Sequence, residues 1–196
     1  MISGAHNFRL PFFFTIILLL LVAKVALPVH AKDAVIFDID GTLTYDTIDL
    51  LLARTGAQEA IQTYLDLGYE VALITARATI LEPPTIFYLR LWGFPWRDVF
   101  TSFSPCILTQ DQETIDYKVK AIQDFQTNLG LDFKYGYGDS TTDFAAFSQT
   151  GMDKSKVFAL RRICTQEECL PGNWTECLDD YADHLAFIRA QPPANS

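Results

Sequence analysis

Histidine, closely spaced cysteine pairs and positive charge are all scarce in this sequence of 196 residues. Three histidines and four cysteines without a CxxC pair disfavour a zinc site. Fifteen lysines and arginines against 24 aspartates and glutamates disfavour a role in binding nucleic acid. No internal repeat or low-complexity tract occurs, and an apolar content of 49% excludes wholesale disorder. The chain therefore suits one compact domain with a sizeable core.

The first 31 residues have the pattern of a secretory signal peptide. Arg9 precedes an apolar run over residues 10–23, and small residues at 29 and 31 offer a cleavage site. Because the run is shorter than the roughly 20 residues that cross a bilayer, we expect cleavage and export, with an uncleaved anchor as the alternative. Loss of Arg9 and Lys24 would leave 13 basic residues against 24 acidic ones, a net charge of −11.

All four cysteines follow this segment, at Cys106, Cys164, Cys169 and Cys177. In an exported protein they predict disulfides, because such bonds persist in oxidising compartments. Four cysteines allow three pairings, and the sequence does not choose among them. Two of the last three cysteines, if paired locally, would staple the C-terminal loop.

Short apolar runs alternate with helical patterns from residue 32 to residue 190. Apolar runs of this kind, each followed by a helix, predict a three-layer, Rossmann-like α/β fold around a parallel sheet. Residues 191–196 are predicted to be a disordered tail. Strands are predicted at 34–39, 69–75, 133–138 and 156–160, and helices at 47–67 with a break near Gly56, 79–91 with an interruption at Pro83-Pro84, 114–129, 142–150 and 179–189.

Two aspartates end the first predicted strand. Asp38 and Asp40 follow four apolar residues and precede Gly41-Thr42. Residues two apart on a strand point to the same side, so these carboxylates share one small site. A turn cap would explain one aspartate but not two. Paired carboxylates suit Mg²⁺, and they also suit a division between a nucleophile and a general acid/base.

Further polar residues follow the other strands, where ligands of parallel sheets bind. Asp139 and Asp143 lie in GDSTTD, which also reads as a helix N-cap. Thr75 is either an ordinary strand-end hydroxyl or a donor to a phosphate oxygen. Lys118 is either a solvated helix lysine or a cation that neutralises phosphate and carboxylates.

Together these residues resemble the four motifs of the haloacid-dehalogenase superfamily of phosphohydrolases, in order. The motifs are DIDGT at 38–42, Thr75 after an apolar strand, Lys118, and GDSTTD at 138–143. The runs DIDGTLT, GYEVALITAR and YGYGDSTTDFAAF more closely resemble the lipin-type phosphatidate phosphatase domain. That domain also occurs in phosphatidylinositol-transfer proteins of the retinal-degeneration-B type, which lack the full aspartate pair. Unlike lipins, this chain has Asp139-Ser140 instead of Asn-Arg, and we do not expect it to carry their amphipathic N-terminal domain.

The resemblance implies a magnesium-dependent hydrolysis of phosphomonoesters. Asp38 would attack phosphorus and become phosphorylated, and Asp40 would protonate the leaving oxygen and then activate water. Thr75 and Lys118 would hold the phosphoryl oxygens. Mg²⁺ would be held by Asp38, the Asp40 backbone carbonyl and Asp139, with Asp143 binding it or orienting Lys118.

The substrate is less defined by the sequence. Little or no cap domain is expected, because residues 45–75 read as core helix and strand, and the aromatic residues of 92–103 as packing. An open site favours a lipid phosphate such as phosphatidate in a membrane, whereas the acidic charge favours a soluble phosphomonoester in the export compartment. A third possibility is a lipid-binding or interaction module without turnover. Neither a nucleic acid nor a protein partner is predicted.

Overall fold

Six parallel strands form a single sheet in the computed structural model, which describes residues 31–45, 52–161 and 174–195. The strand order is β3-β2-β1-β4-β5-β6, so the chain starts in the middle of the sheet and builds outward in both directions. This confirms the predicted α/β fold of the haloacid-dehalogenase type, and the described residues contain no large cap. The strands are β1 (Lys32–Asp38), β2 (Glu70–Ala78), β3 (Val99–Ser104), β4 (Leu131–Gly138), β5 (Val157–Leu160) and β6 (Glu176–Leu178).

Helices cover both faces of the sheet. Helices α1, α2 and α5 pack on one face, and α3 and α4 on the other. In the part of the chain described, no helix is long and apolar enough to cross a membrane. The helices are α1 (Ala57–Asp66), α2 (Glu82–Leu91), α3 (Asp111–Asn128), α4 (Thr141–Gln149) and α5 (Leu185–Arg189), with short 3-10 helices at Thr79–Leu81 and Lys154–Lys156.

The apolar residues of the central strands divide between two cores. On β1, Val35 and Phe37 face α1 and α5, whereas Ala34 and Ile36 face α3 and α4. This alternation follows from the two-residue period of a strand, and burial on both faces explains why the run is continuously apolar. The same arrangement makes Asp38, at the carboxyl end of β1, the first polar side chain after this apolar run.

Several predicted boundaries differ from the structure. The helix predicted over residues 47–67 does break near Gly56, as expected, because Gly56 adopts φ +78° and α1 begins at Ala57. Ala53, just before this break, forms a β-bridge with Thr44 instead of lying in a helix. Pro83 and Pro84 do not interrupt α2, since they lie in its first turn, where a missing N–H costs nothing. Residues 47–51 of the predicted helix lie outside the described residues.

The edge strands β3 and β6 were not predicted. Both are short, and β3 is only partly buried along its length, so neither carries a continuous apolar run. The final helix is correspondingly short, because residues 179–184 form turns and only Leu185–Arg189 is helical.

The C-terminal residues 191–195 are bound to the domain, so the prediction of disorder is wrong for them. Tyr69 donates a hydrogen bond to the Pro192 carbonyl at 3.1 Å, and the Ala194 amide donates to the Leu67 carbonyl at 2.9 Å. The Asn195 amide donates to Asp33 at 3.0 Å. These contacts pack the tail against the ends of α1 and β1.

The cysteines are only partly described. Cys106 is free and exposed, so any pairing that includes it is wrong. Cys177 on β6 has an interaction partner, but Cys164 and Cys169 lie outside the described residues. Most of the predicted signal peptide lies outside them too. The disulfide among the last three cysteines therefore stays a prediction.

Candidate active site

An open cavity of about 520 Å³ lies at the carboxyl ends of β1, β2 and β4. These strands are neighbours in the sheet, so residues far apart in the sequence meet at one edge. Among the described residues of the lining, Ala76 alone is apolar. The lining residues are Asp38, Asp40, Ala76, Arg77, Asp111, Thr114, Lys118, Asp139, Ser140, Thr141 and Thr142.

Lys118 lies between two buried carboxylates at the floor of this cavity. Its Nζ donates to Asp38 Oδ1 at 2.7 Å and also to Asp143 Oδ1. Only 4% of Lys118 is exposed, so the interpretation as a solvated helix lysine is wrong. Helix α3 delivers the side chain because Ala121, Ile122 and Phe125 anchor the same face against the sheet.

Burial and charge set the protonation of this group. Burial, reinforced by the Asp143 carboxylate, raises the pKa of Asp38 well above its ordinary value despite the opposing effect of Lys118. Burial would also raise the pKa of Asp143, but Lys118 and Ser140 outweigh it and hold that pKa below the ordinary value. Burial opposes the charge on Lys118, yet Asp143 and Asp38 together raise its pKa. Additional positive charge near Asp38 would favour its carboxylate form.

Asp143 is fixed by a capping box at the start of α4. Ser140 accepts from the Asp143 amide, and Asp143 Oδ2 accepts from the Ser140 amide at 3.0 Å and the Ser140 hydroxyl at 2.6 Å. The N-cap is therefore Ser140, one residue after Asp139. One oxygen of Asp143 accepts a hydrogen bond from Lys118 and the other accepts hydrogen bonds from Ser140 at the start of α4. Asp143 therefore orients Lys118.

Three carboxylates could hold a metal ion. One oxygen each of Asp38, Asp139 and Asp143 lies within 4.8 Å of the others. Such a set of hard oxygen donors fits a cation like Mg²⁺, which keeps several waters. Asp38 and Asp139 line the cavity whereas Asp143 is not among its lining residues, so Asp38 and Asp139 are the better placed ligands of the three. The Asp40 carboxylate is not part of this group.

Asp40 is held by two residues of β2. Thr75 donates to Asp40 Oδ2 at 2.8 Å, and Arg77 forms a two-pronged pair with Asp40, with Nε at 2.8 Å and an Nη at 2.6 Å from Oδ1. Thr75, which is fully buried, thus contacts the acid/base candidate. Arg77 was not predicted as a site residue. Its position two residues after Thr75 on the same strand was the available signal.

Arg54 is a second residue that the sequence did not reveal. It is 2% exposed and donates to the Gly41 carbonyl from Nε at 2.9 Å and from Nη2 at 2.6 Å. It also donates to the carbonyls of Arg161 and Asp179. Gly41, at φ +78°, turns the chain directly after the aspartate pair, and a Cβ there would lie 2.1 Å from Asp139 Oδ2. Arg54 and Gly41 together hold the segment that follows Asp38 and Asp40 close to Asp139.

Comparison with known proteins identifies a family. Residues 35–161 match the model that describes the LNS2 domain of PITM 1-3. The Drosophila melanogaster protein retinal degeneration B is 26% identical over 161 residues, which is 81% of this chain and 12% of that protein. The human membrane-associated phosphatidylinositol transfer protein 1 is 27% identical over 178 residues, or 86% of this chain and 13% of its own length. This chain thus spans only about an eighth of the curated relatives it matches.

Solved structures share the fold at low identity. The D,D-heptose 1.7-bisphosphate phosphatase from B. bronchiseptica, complexed with magnesium and phosphate, is 18% identical with a TM-score of 0.53. The match covers 79% of this chain and 98% of that structure. At this identity the similarity shows the fold alone.

Proposed function

Because this chain belongs to the LNS2 domain family of PITM 1-3 and also unites two aspartates, a buried lysine and a third carboxylate in one cavity, we propose that it is a magnesium-dependent phosphomonoester hydrolase. The observation that carries the proposal is the contact of Asp38 with Lys118 beside Asp139. A buried nucleophile candidate that contacts a cation and lies near a metal-ligand candidate suits attack on a phosphate.

In the proposed reaction, a carboxylate oxygen of Asp38 forms a bond to phosphorus while the bond from phosphorus to the ester oxygen breaks. The leaving oxygen takes its proton from Asp40, which gives an alcohol and an aspartyl-phosphate. Asp40 then accepts a proton from water as that water attacks phosphorus. Phosphate is released and the Asp38 carboxylate is restored.

Asp38, Asp139 and the Asp40 backbone carbonyl would hold Mg²⁺. The bound ion supplies charge that screens the carboxylate from the phosphate and stabilises the transition state. Lys118 adds a fixed positive charge next to Asp38 and is kept in place by Asp143. The two aspartates of the capping segment therefore divide their tasks between metal binding and orientation of the lysine.

Arg77 and Thr75 have to change partners during this reaction. Oδ1 of Asp40 accepts two hydrogen bonds from Arg77, and Oδ2 accepts one from Arg77 and one from Thr75, so neither oxygen is open to a leaving oxygen. A phosphoryl group entering the cavity offers Arg77 a better two-pronged acceptor. Transfer of Arg77 to the phosphoryl oxygens would release Asp40 for its proton transfer.

A lipid phosphate is the substrate class that we favour. The relatives are named as phosphatidylinositol transfer proteins, and the cavity is open with no large cap among the described residues. The polar lining suits a headgroup, with the rest of the substrate remaining outside. The same lining also suits a soluble phosphomonoester, which is the alternative substrate.

A binding module without turnover is the second candidate function. It is favoured by the family match, since the relatives' names describe lipid transfer and not hydrolysis. Retention of Asp38 in contact with Lys118 weighs against it, because a pure binding site gains nothing from an anionic nucleophile facing a phosphate.

Phosphate release from the full chain tests these functions. Phosphatidate in mixed micelles and a panel of soluble phosphomonoesters would be assayed with Mg²⁺ and with a chelator, using wild type and Asp38→Asn. We expect Mg²⁺-dependent release, highest on phosphatidate, that Asp38→Asn abolishes. Release mainly from soluble esters would overturn the lipid assignment alone. Near-normal activity of Asp38→Asn would refute the mechanism, and no release by folded protein would favour the binding module.

We further propose that the chain is exported, on the basis of its N-terminal apolar run. N-terminal sequencing of the protein recovered from its source would test this. A mature start near residue 32 is expected, and a start at Met1 would contradict cleavage.

A further inference from the structure

One wall of the active-site cavity is formed by α3, and the proposed reaction uses only Lys118 of that wall. Asp111, Thr114 and Lys118 all line the cavity, and their spacing of three and four residues places them along one face of the helix. Asp111 is exposed, Thr114 is half-buried and Lys118 is buried. The face therefore runs from the mouth of the cavity at Asp111 to its floor at Lys118.

The Asp111 carboxylate is not neutralised by the protein. Across residues 31–45, 52–161 and 174–195, it takes part in neither an ion pair nor a side-chain hydrogen bond. The carboxylates deeper in the cavity differ from it, because Asp38 pairs with Lys118 and Asp40 pairs with Arg77. A carboxylate without a cation repels a bound phosphate. Its presence at the mouth therefore favours a ligand that brings its own hydrogen-bond donor.

The hydroxyl groups near the mouth add acceptors to the same wall. Thr114 donates its hydroxyl hydrogen to the Gln110 carbonyl at 3.2 Å, so the Thr114 oxygen can still accept from a ligand. On the α4 side, the hydroxyls of Ser140 and Thr142 bond to each other at 2.8 Å. A carboxylate such as that of Asp111 only accepts hydrogen bonds. Above Lys118, the α3 wall thus offers a ligand acceptors and no donor.

The direction of the proposed attack places the leaving alcohol beside this wall. Phosphoryl transfer keeps the attacking and leaving oxygens roughly in line. Asp38, the proposed attacking group, is only 2% exposed, so an alcohol that leaves opposite to it points toward the mouth. Thr114 and Asp111 lie about one and two helical turns from Lys118. They are therefore placed to contact the alcohol, whereas Lys118 contacts the phosphoryl group.

We propose that Asp111, assisted by Thr114, selects phosphomonoesters whose alcohol carries a hydrogen-bond donor, either a hydroxyl or an ammonium group, close to the ester oxygen. Such a donor binds the Asp111 carboxylate and offsets its repulsion of the phosphate. An alkyl or fully acylated alcohol brings no donor and leaves that carboxylate unpaired. This selection rests on the proposed function and narrows its substrate class, for lipid and soluble esters alike.

Matched pairs of esters test the proposal. Glycerol 3-phosphate carries hydroxyls that propyl phosphate lacks, and lysophosphatidate carries one that phosphatidate lacks, the lipids being assayed in mixed micelles. We expect wild type to prefer the hydroxylated member of each pair by about tenfold in kcat/KM. Asp111→Leu should bring the ratio close to one. It should lower kcat/KM for glycerol 3-phosphate and raise it for propyl phosphate, because the acceptor and the repulsion are removed together.

Asp116→Asn is the matched control. Asp116 is an exposed carboxylate of α3 that accepts from Gln112 at 2.7 Å and is not part of the cavity lining, so its loss should leave the ratio unchanged. Asp111 also lies in the first turn of α3, where negative charge stabilises a helix. A role confined to the helix would lower the urea midpoint of Asp111→Leu without changing the ratio, and equal ratios for wild type and Asp111→Leu would overturn the proposal. A preference confined to one pair would support it and identify the source of the ester as lipid or soluble.

Binding separates this proposal from the proposed hydrolysis. Calorimetry on Asp38→Asn with Mg²⁺ would measure affinity for glycerol 3-phosphate and propyl phosphate without turnover. A preference for the first ester that is lost when Asp111→Leu is added would uphold the selection even if wild type hydrolysed neither ester. Hydrolysis of all four esters with no preference within either pair would leave the proposed function intact and refute the selection.

Discussion

Replacement of Arg54 by leucine should destabilise the domain strongly, although no sequence motif marks this residue. The guanidinium satisfies the carbonyls of Gly41, Arg161 and Asp179 through four hydrogen bonds of 2.6–2.9 Å. A buried polar group left without a partner costs about 1–3 kcal/mol, so three carbonyls set a range of about 3–9 kcal/mol. Water can reach the part-buried carbonyls of Arg161 and Asp179, and relief of the buried charge offsets some of the loss. We therefore expect Arg54→Leu to lower the free energy of unfolding by about 3–5 kcal/mol.

Urea unfolding, followed by circular dichroism, would measure this change. Arg161→Leu is the matched control, because its guanidinium is 43% exposed and pairs with a largely exposed Asp179. That control should cost less than about 1 kcal/mol. Arg54→Lys should lie between the two, since an ammonium cannot span three carbonyls. A loss below about 1 kcal/mol for Arg54→Leu, similar to the control, would refute the assignment of Arg54 as the link between these three segments.

Three further predictions concern buried groups. Lys118→Met should abolish hydrolysis. Measured with a chelator present, it should also lower the free energy of unfolding by about 3–5 kcal/mol, since two buried carboxylates lose their cation. Adding Asp143→Asn to this variant should restore stability but not activity, and a urea midpoint of Lys118→Met equal to that of wild type would contradict this reasoning. Gly41→Ala should lower the free energy of unfolding by only about 1–2 kcal/mol, the cost of a positive φ for alanine. It should weaken Mg²⁺ binding, measured by calorimetry, because the new Cβ displaces the Asp139 side chain. An Mg²⁺ affinity equal to that of wild type would contradict this prediction. Burial lowers the pKa of His184 to about 4, below about 6.5 in the unfolded chain. The unfolded state therefore binds the proton first as pH falls, and up to about 3 kcal/mol is lost between pH 6.5 and 4; His184→Asn should remove this component, and equal pH slopes would refute it.

His184 also shows why a sequence can misplace a residue. A helix is predicted over residues 179–189, which gives no sign that His184 is buried, yet only 4% of this residue is exposed. Its Nε2 lies 3.1 Å from the Tyr137 hydroxyl, which in turn lies 2.7 Å from that of Tyr64. Tyr64, Tyr137 and His184 come from three separate elements. A hydrogen-bonded set of this kind depends on long-range packing and leaves no local pattern.

Edge strands illustrate a second limit. Strands β1, β2 and β4 are buried on both faces, so each has an apolar run that can be recognised in the sequence. Strand β3 has one free edge and partly exposed side chains, so its aromatic residues suggested loop packing instead. Burial on both faces is thus what made the central strands predictable.

The sequence by itself determined the fold class, the central strands and the positions of Asp38, Asp40, Thr75, Lys118, Asp139 and Asp143, because apolar periodicity and strand-end polarity are local properties. Only the tertiary structure decided which of these side chains contact one another. In it, Lys118 lies between Asp38 and Asp143, and Asp40 accepts hydrogen bonds from Thr75 and Arg77. The role of Arg54 emerged at this level as well. Partner choice depends on the order of the strands and on the helices packed across them, and neither is written in any single segment of the chain.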